Sequence, residues 1–238
     1  MQPGTLPIHY AELEAIHGRT LGNGTRALAV ASAIGGEGTT TLARALAERA
    51  AASGKQTLLV DLNLEHPSLH THYALGRCDW SPETAVESQA ILRSDIPGLD
   101  VLTAPTRVTD HWGFRDPATL RGALESWLER YDRVVVDTSP LTRRNRRNVP
   151  ADTVCSACSS TLLVVLAART PESQLVESRQ LLDAAGAELA GAVLNDRHLP
   201  GLASELMRET RRLDHLMPRT MAWLRQRIAG SNLLNQPI

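Results

Sequence analysis

Residues 31–41 read ASAIGGEGTTT and lie between a short apolar run, 27–31, and an Ala/Leu-rich segment that begins at Leu42. A strand that ends in a glycine-rich turn and opens a helix points several backbone N–H groups, and the positive end of the helix dipole, at one spot suited to phosphate. Against the template G-x-x-x-x-G-K-[ST], Ala33 takes the first position, Gly38 the second glycine and Thr40 the hydroxyl that would ligate Mg²⁺. Thr39 stands where the template has lysine. That ammonium contacts the β/γ-phosphates and offsets charge in phosphoryl transfer, where electrostatic stabilisation is most of the catalysis. No neighbour replaces it: Lys55 is the only lysine in the chain and sits beyond the far end of the following helix. The candidate cradle is therefore Gly35, Gly36, Glu37, Gly38, Thr39, Thr40 and Thr41. Two further apolar runs end in carboxylates, Asp61 and Asp137. With Thr40 these form a hard-oxygen set of the kind Mg²⁺ takes near phosphates.

Such residues need a frame to bring them together, and hydrophobic patterning supplies one. The sequence predicts a strand over 26–33, a helix over 40–53 stopped by Gly54, and a strand over 57–61. A short helix over 67–75 and a polar stretch over 76–97 precede a strand over 99–103. Asp116-Pro117 is an N-cap and first-turn pair opening a helix to about Arg130. Apolar strands follow at 133–137 and 161–167, then a helix from Thr170-Pro171-Glu172 to Gly186 and a strand over 189–195. Alternation of apolar strands with helices implies an α/β fold: a mostly parallel twisted sheet with helices on both faces. Ligands in such sheets sit beyond the carboxyl ends of the strands, so Asp61 and Asp137 should share an edge with the glycine-rich loop.

The organisation expected is an N-terminal helical segment, 1–25, a nucleotide-binding domain, 26–200, and a C-terminal helical tail, 201–238. A length of 238 residues suits one large domain, and aromatics at 3% leave the core to Leu, Val and Ala. A net charge of −1 gives no global pull toward nucleic acid or anionic lipid. No apolar run is long enough to span a bilayer, and the first residues lack a signal pattern, so a cytoplasmic protein is expected. Cys155 and Cys158 form a C-x-x-C with no second pair, which reads as two small buried residues on a helix face rather than a zinc or redox site. His66, His70 and His72 read as solvated polarity for the same reason.

Taken in order, these motifs resemble the MinD/ParA branch of P-loop ATPases, and most of all the cytoplasmic domain of the bacterial tyrosine kinases (BY-kinases) of exopolysaccharide export. The resemblance runs from about Leu13 to Asn195 through SAIGGEGTT, TLLVDLNLEHPSLH, PGLDVLTA, YDRVVVDTSPL and GAVLN. It implies ATP or ADP with Mg²⁺ as cofactors, Thr40 and Asp61 as metal ligands, Asp61 and Asp137 as the catalytic carboxylates with Asp137 one layer behind the metal, and Asn195 at the adenine. The chain departs from the family at Thr39, at Ile34 where MinD and ParA relatives carry a second lysine, and at Asn63, which replaces the second acid of an Asp-x-Asp pair. The family's C-terminal tyrosine cluster is absent, the only tyrosines being Tyr10, Tyr73 and Tyr131. A cellulose-synthesis member of the MinD group resembles the chain here, with Gly-Thr-Thr-Thr in its loop and nucleotide binding retained. The resemblance with its departures implies a nucleotide-binding regulator of exopolysaccharide biosynthesis or export with weak or no catalysis. It would form homo-oligomers and dock on a separate inner-membrane polysaccharide co-polymerase or export protein, at the inner face of the membrane.

Two alternatives attach to features outside the family pattern. TRRNRRN, after the 133–137 strand, carries Arg143, Arg144, Arg146 and Arg147. An arginine finger from that loop would make the protein an active ATPase or tyrosine kinase, though a solvated basic loop or a contact for an acidic partner is the reading favoured. RTMAWLRQRIAG places Met221, Leu224 and Ile228 on one helical face, so the tail could instead make a MinD-like peripheral membrane contact, though a helix capping the domain is the reading favoured.

Overall fold

The computed structural model describes residues 10–84, 90–107, 112–145 and 148–197, and further along 206–207, 210–212, 214 and 217–229. The chain divides into two units, 1–195 and 196–238.

In the first unit, apolar runs become strands buried on both faces. β1 (Ala27–Ser32), β2 (Thr57–Leu62), β5 (Arg133–Thr138) and β6 (Ser160–Leu166) are buried almost throughout, as expected where helices cover both sides of a parallel sheet. With β3 (Ile91–Arg93), β4 (Leu99–Leu102) and β7 (Leu189–Asn195) they form a seven-stranded sheet in the order β3-β4-β2-β5-β1-β6-β7. Every pair is parallel except β3 with β4. β3 falls inside what the sequence marks as a polar stretch, because three residues are too few to show a period of two. β7 forms one edge and alternates between half-buried and exposed residues, so only one of its faces is covered.

Helices follow the strands as the patterning requires. α2 (Thr39–Ala52) buries Leu42, Ala45, Leu46 and Ala50 on the sheet. α1 (Ala11–Arg19) buries Leu13 and lies against α2, where Arg49 Nη2 donates to Glu14 Oε2 at 2.8 Å. α4 (Pro117–Leu128) starts at Asp116, whose carboxylate accepts from the N–H groups of Ala118 and Thr119. α5 (Ala151–Ala157) and α6 (Glu172–Ala185) complete the cover, and Gly186 ends α6 in the left-handed conformation. Three of the large aromatics gather in one place: Trp80 meets Phe114 and Trp127 edge-on, with ring centroids 5.2 and 6.4 Å away.

Cys155 is buried in α5, but Cys158 is the extended residue that closes that helix, so the two do not share a helix face. Burial pushes the Cys155 thiol up to about 12 and raises that of Cys158 well above its usual value. Neither is a thiolate near neutral pH. In the second unit, α7 (Pro218–Ala229) buries Met221 and Ile228 while Trp223 stands 55% exposed.

Candidate functional site

The strand order changes direction at β1: α2 carries the chain to β2 on one side of it, and β6 and β7 extend the sheet on the other. A crevice at such a switch point is where open α/β sheets bind ligands. The glycine-rich loop leaves β1 there, and β5, flanked by β1 and β2, brings Asp137 beside the Asp61 of β2. Asp137 lies level with Val30 on one neighbour and with Asp61 on the other.

The loop is built on two left-handed glycines, Gly36 (φ 86°) and Gly38 (φ 100°), the latter being the N-cap of α2. A left-handed residue beside one of the opposite hand turns consecutive N–H groups inward and makes an anion-binding concavity. Gly38 has a second reason to lack a side chain, because a Cβ there would sit 2.7 Å from Asn195 Nδ2. Around the loop is a brace that the sequence alone does not show. Glu37 is fully buried; its Oε2 accepts from Ile34 N–H at 3.1 Å, and its Oε1 accepts from Leu166 N–H and the Thr170 hydroxyl. Asn195 Nδ2 donates to the Glu37 carbonyl at 2.8 Å. Leu141 N–H donates to Ser32 O at 2.9 Å and Thr142 Oγ1 to Ala33 O at 2.8 Å, which ties the chain after β5 to the loop's entrance.

These contacts leave two of the cradle residues to act through their backbone alone. The Glu37 side chain points into the fold, so only its backbone is available to a phosphate; a carboxylate in the cradle itself would repel one. Thr39 is buried as well, so nothing protrudes where the lysine would reach out. Gly35 and Gly36 are exposed and Thr40 and Thr41 half-buried, open to the crevice. Asn195, expected at an adenine, is committed through one amide hydrogen to the loop.

The carboxylates form a tight group with the Thr40 hydroxyl. Thr40 Oγ1 donates to Asp137 Oδ2 at 2.6 Å, which leaves its own lone pairs uncommitted. Asp61 accepts from Asn63 N–H at 3.1 Å through one oxygen and from Leu69 N–H at 3.3 Å through the other, capping the short helix α3 (Leu69–His72). Both carboxyls are completely shielded from solvent. Burial pushes Asp61 up to about 6, against the lowering effect of its backbone hydrogen bonds and, more weakly, of Arg77. Burial and the neighbouring Asp61 charge raise Asp137 well above the usual carboxylate range. Asp137 Oδ1 is buried with no hydrogen-bond partner. An orphaned carboxylate oxygen beside a second buried carboxylate and a threonine hydroxyl is a donor set that fits a hard divalent cation.

Of the four arginines singled out by sequence, Arg146 and Arg147 lie outside the described residues. Arg143 is ion-paired with Glu65 at 2.6 Å and Arg144 with Asp152 at 2.5 Å. Both line a cavity of about 270 Å³ with Arg115, Asn145, Asn148 and Asp152. Nothing local in the sequence marks Glu65 as the partner of a residue 78 positions away. In the histidine group, His72 bonds Arg44, while His70 meets the Thr71 hydroxyl.

No family model matches the chain. It is 26% identical over 178 residues to the tyrosine-protein kinase YwqD of Bacillus subtilis, covering 73% of each chain. It is 27% identical over 180 residues to the putative tyrosine-protein kinase CapB of Staphylococcus aureus, covering 73% of this chain and 76% of that one. The chain is BY-kinase-like. Solved structures agree on the fold: the chimerical protein CapA2B2 superposes with a TM-score of 0.68 at 23% identity, over 82% of this chain and 87% of that one. The kinase domain of Escherichia coli tyrosine kinase ETK gives 0.63 at 22%, over 82% of each. The septum site-determining protein MinD of Pyrococcus horikoshii, complexed with Mg-ADP, gives 0.57 at 21%, over 76% of each. The BY-kinase-like chain thus has a MinD/ParA-like P-loop fold.

Proposed function

We propose that this BY-kinase-like protein is a nucleotide-binding regulator of exopolysaccharide biosynthesis or export, with weak or no phosphoryl transfer of its own. The observation that carries the reading is the pairing of an intact phosphate cradle and cation-binding oxygens with a buried Thr39 in the lysine position. MinD with Mg-ADP, and a cobyrinic acid a,c-diamide synthase with an ATP analogue and magnesium, support Mg-nucleotide as the ligand class.

The residues divide the work as follows. The backbone of the loop from Gly35 to Thr41 receives the phosphates, aided by the N-terminus of α2. Thr40 and Asp61 would hold Mg²⁺, with Asp137 behind them holding the Thr40 hydroxyl by its hydrogen bond; the ion when bound supplies positive charge to the phosphate oxygens. Glu37 and Asn195 keep the loop in its binding conformation. Asn63, unlike an acid, adds no charge beside Asp61, so fewer groups remain to activate a hydroxyl.

The exopolysaccharide setting, homo-oligomers and a separate inner-membrane co-polymerase or export partner follow from the resemblance. Among the described residues no helix is long and apolar enough to cross a membrane. Met221 and Ile228, two residues of the apolar face of α7, are buried, which leaves less of that face for the MinD-like membrane reading.

Titration calorimetry with ATP and ADP, each with and without Mg²⁺, tests the proposal beside a Gly38→Asp control and a phosphate-release assay. Mg-dependent binding lost in the control, without phosphate release, is the expected result. Sustained phosphate release would make the protein an enzyme, and absence of binding would remove nucleotide from the account.

A further inference from the structure

The missing lysine leaves the cradle without a cationic side chain of its own, and the structure places a cation within reach. Residues 140–143 run along the loop's entrance, tied by the bonds from Leu141 and Thr142 to the carbonyls of Ser32 and Ala33 and by a turn in which Arg143 N–H donates to Pro140 O at 3.2 Å. As a result the Arg143 guanidinium lies against Gly35: a Cβ built on that glycine would be 3.9 Å from both Cζ and Nη1. Gly35 is one of the exposed cradle residues, so the guanidinium stands at the open side of the phosphate site.

Its present partner is replaceable. Nη1 bonds Glu65 Oε1 at 2.6 Å; the Glu65 side chain is 21% exposed, but that of Arg143 is 53% exposed, so its guanidinium is open to a ligand arriving from solvent. A terminal phosphate offers the guanidinium more charge and the two-pronged acceptor geometry that arginine prefers.

We propose that Arg143 is the cis-acting cation of this phosphate site: Glu65 holds it against Gly35 and yields it to the terminal phosphates of a bound nucleoside triphosphate. The inference rests on the nucleotide-binding reading and specifies how that site distinguishes ligands. A guanidinium anchored at the open side favours the longer, more highly charged triphosphate over the diphosphate. It confers binding and discrimination and does not require turnover.

The test is calorimetric titration of the full chain and of R143Q, R143K and E65Q with Mg-ATP and Mg-ADP. R143Q should weaken ATP binding about tenfold or more, as for loss of a charge-assisted hydrogen bond, and ADP binding by less. R143K should recover part of the loss, and E65Q should bind ATP more tightly than the unaltered chain. Melting curves without nucleotide check that the variants fold; should R143Q fail, E65Q carries the test alone. If the unaltered chain binds ATP and either R143Q or E65Q binds it with the same affinity, the arginine assignment falls and the nucleotide reading stands. If the unaltered chain binds neither nucleotide, both fall.

Discussion

Asp137 concentrates the chemistry of the site at a single residue. Both it and Asp61 titrate, when folded, above the ordinary carboxylate value of 3.8, Asp61 at about 6. Between about pH 4 and pH 6 the folded chain therefore holds more protons than the unfolded chain, and the pair's contribution to stability declines as pH rises through that window. Without Mg²⁺ the melting midpoint should fall between pH 5 and pH 7.5. Asp137→Asn should flatten that slope and raise the neutral-pH midpoint by about 2–4 °C, on the order of 1 kcal/mol, while abolishing Mg²⁺-dependent nucleotide binding. Scanning calorimetry at several pH values measures the first two effects, and an unchanged slope would show that the pair ionises freely. Gly38 gives a second prediction. Gly38→Ala adds a Cβ against Asn195 and strains a backbone at φ 100°, so pairing it with Asn195→Ala should restore only part of the lost stability. Full recovery in the double variant would mean that the clash is the whole cost.

Among the elements, the phosphate loop was legible because its glycines, its flanking strand and its helix are contiguous, and local chemistry specifies them. Its brace was not. Leu166 and Asn195 reach Glu37 from 129 and 158 residues away, and nothing in GGEGTTT states that its acid faces inward. The same limit hid β3, whose strand character comes from pairing with β4 rather than from its own residues. Sequence patterning placed the carboxylates Asp61 and Asp137 at the strand ends, and the lateral order of the sheet then made them neighbours. Glu37→Ala should test the brace. It strips Ile34 N–H of its acceptor, while Leu166 N–H and the Thr170 hydroxyl keep their bonds to Thr170 Oγ1 and Leu166 O, and should cost about 1–3 kcal/mol, with Glu37→Gln intermediate. Chemical denaturation reads the loss, and an undiminished midpoint for Glu37→Ala would show that the loop holds its shape without this acid.

For the whole molecule, the expected arrangement of sheet and helices follows from the alternation of apolar runs, which a 238-residue chain with few aromatics can satisfy with Leu, Val and Ala. The tail was less legible, because an amphipathic helix has the same pattern whether its apolar face meets protein or lipid. With Met221 and Ile228 buried, the intact chain should stay in the supernatant when sedimented with anionic liposomes, and co-sedimentation would show that α7 can release that face. The gathering of large aromatics in one place has an optical consequence. Of four tryptophans, Trp80 and Trp127 share that shielded cluster, whereas Trp112 and Trp223 are 83% and 55% exposed. Acrylamide should therefore quench the native emission in two classes, and the spectrum should shift to the red when the cluster opens. None of the described hydrogen bonds of the phosphate loop is made by an indole, so ligand occupancy is better followed with a fluorophore on the nucleotide than with the protein's own light.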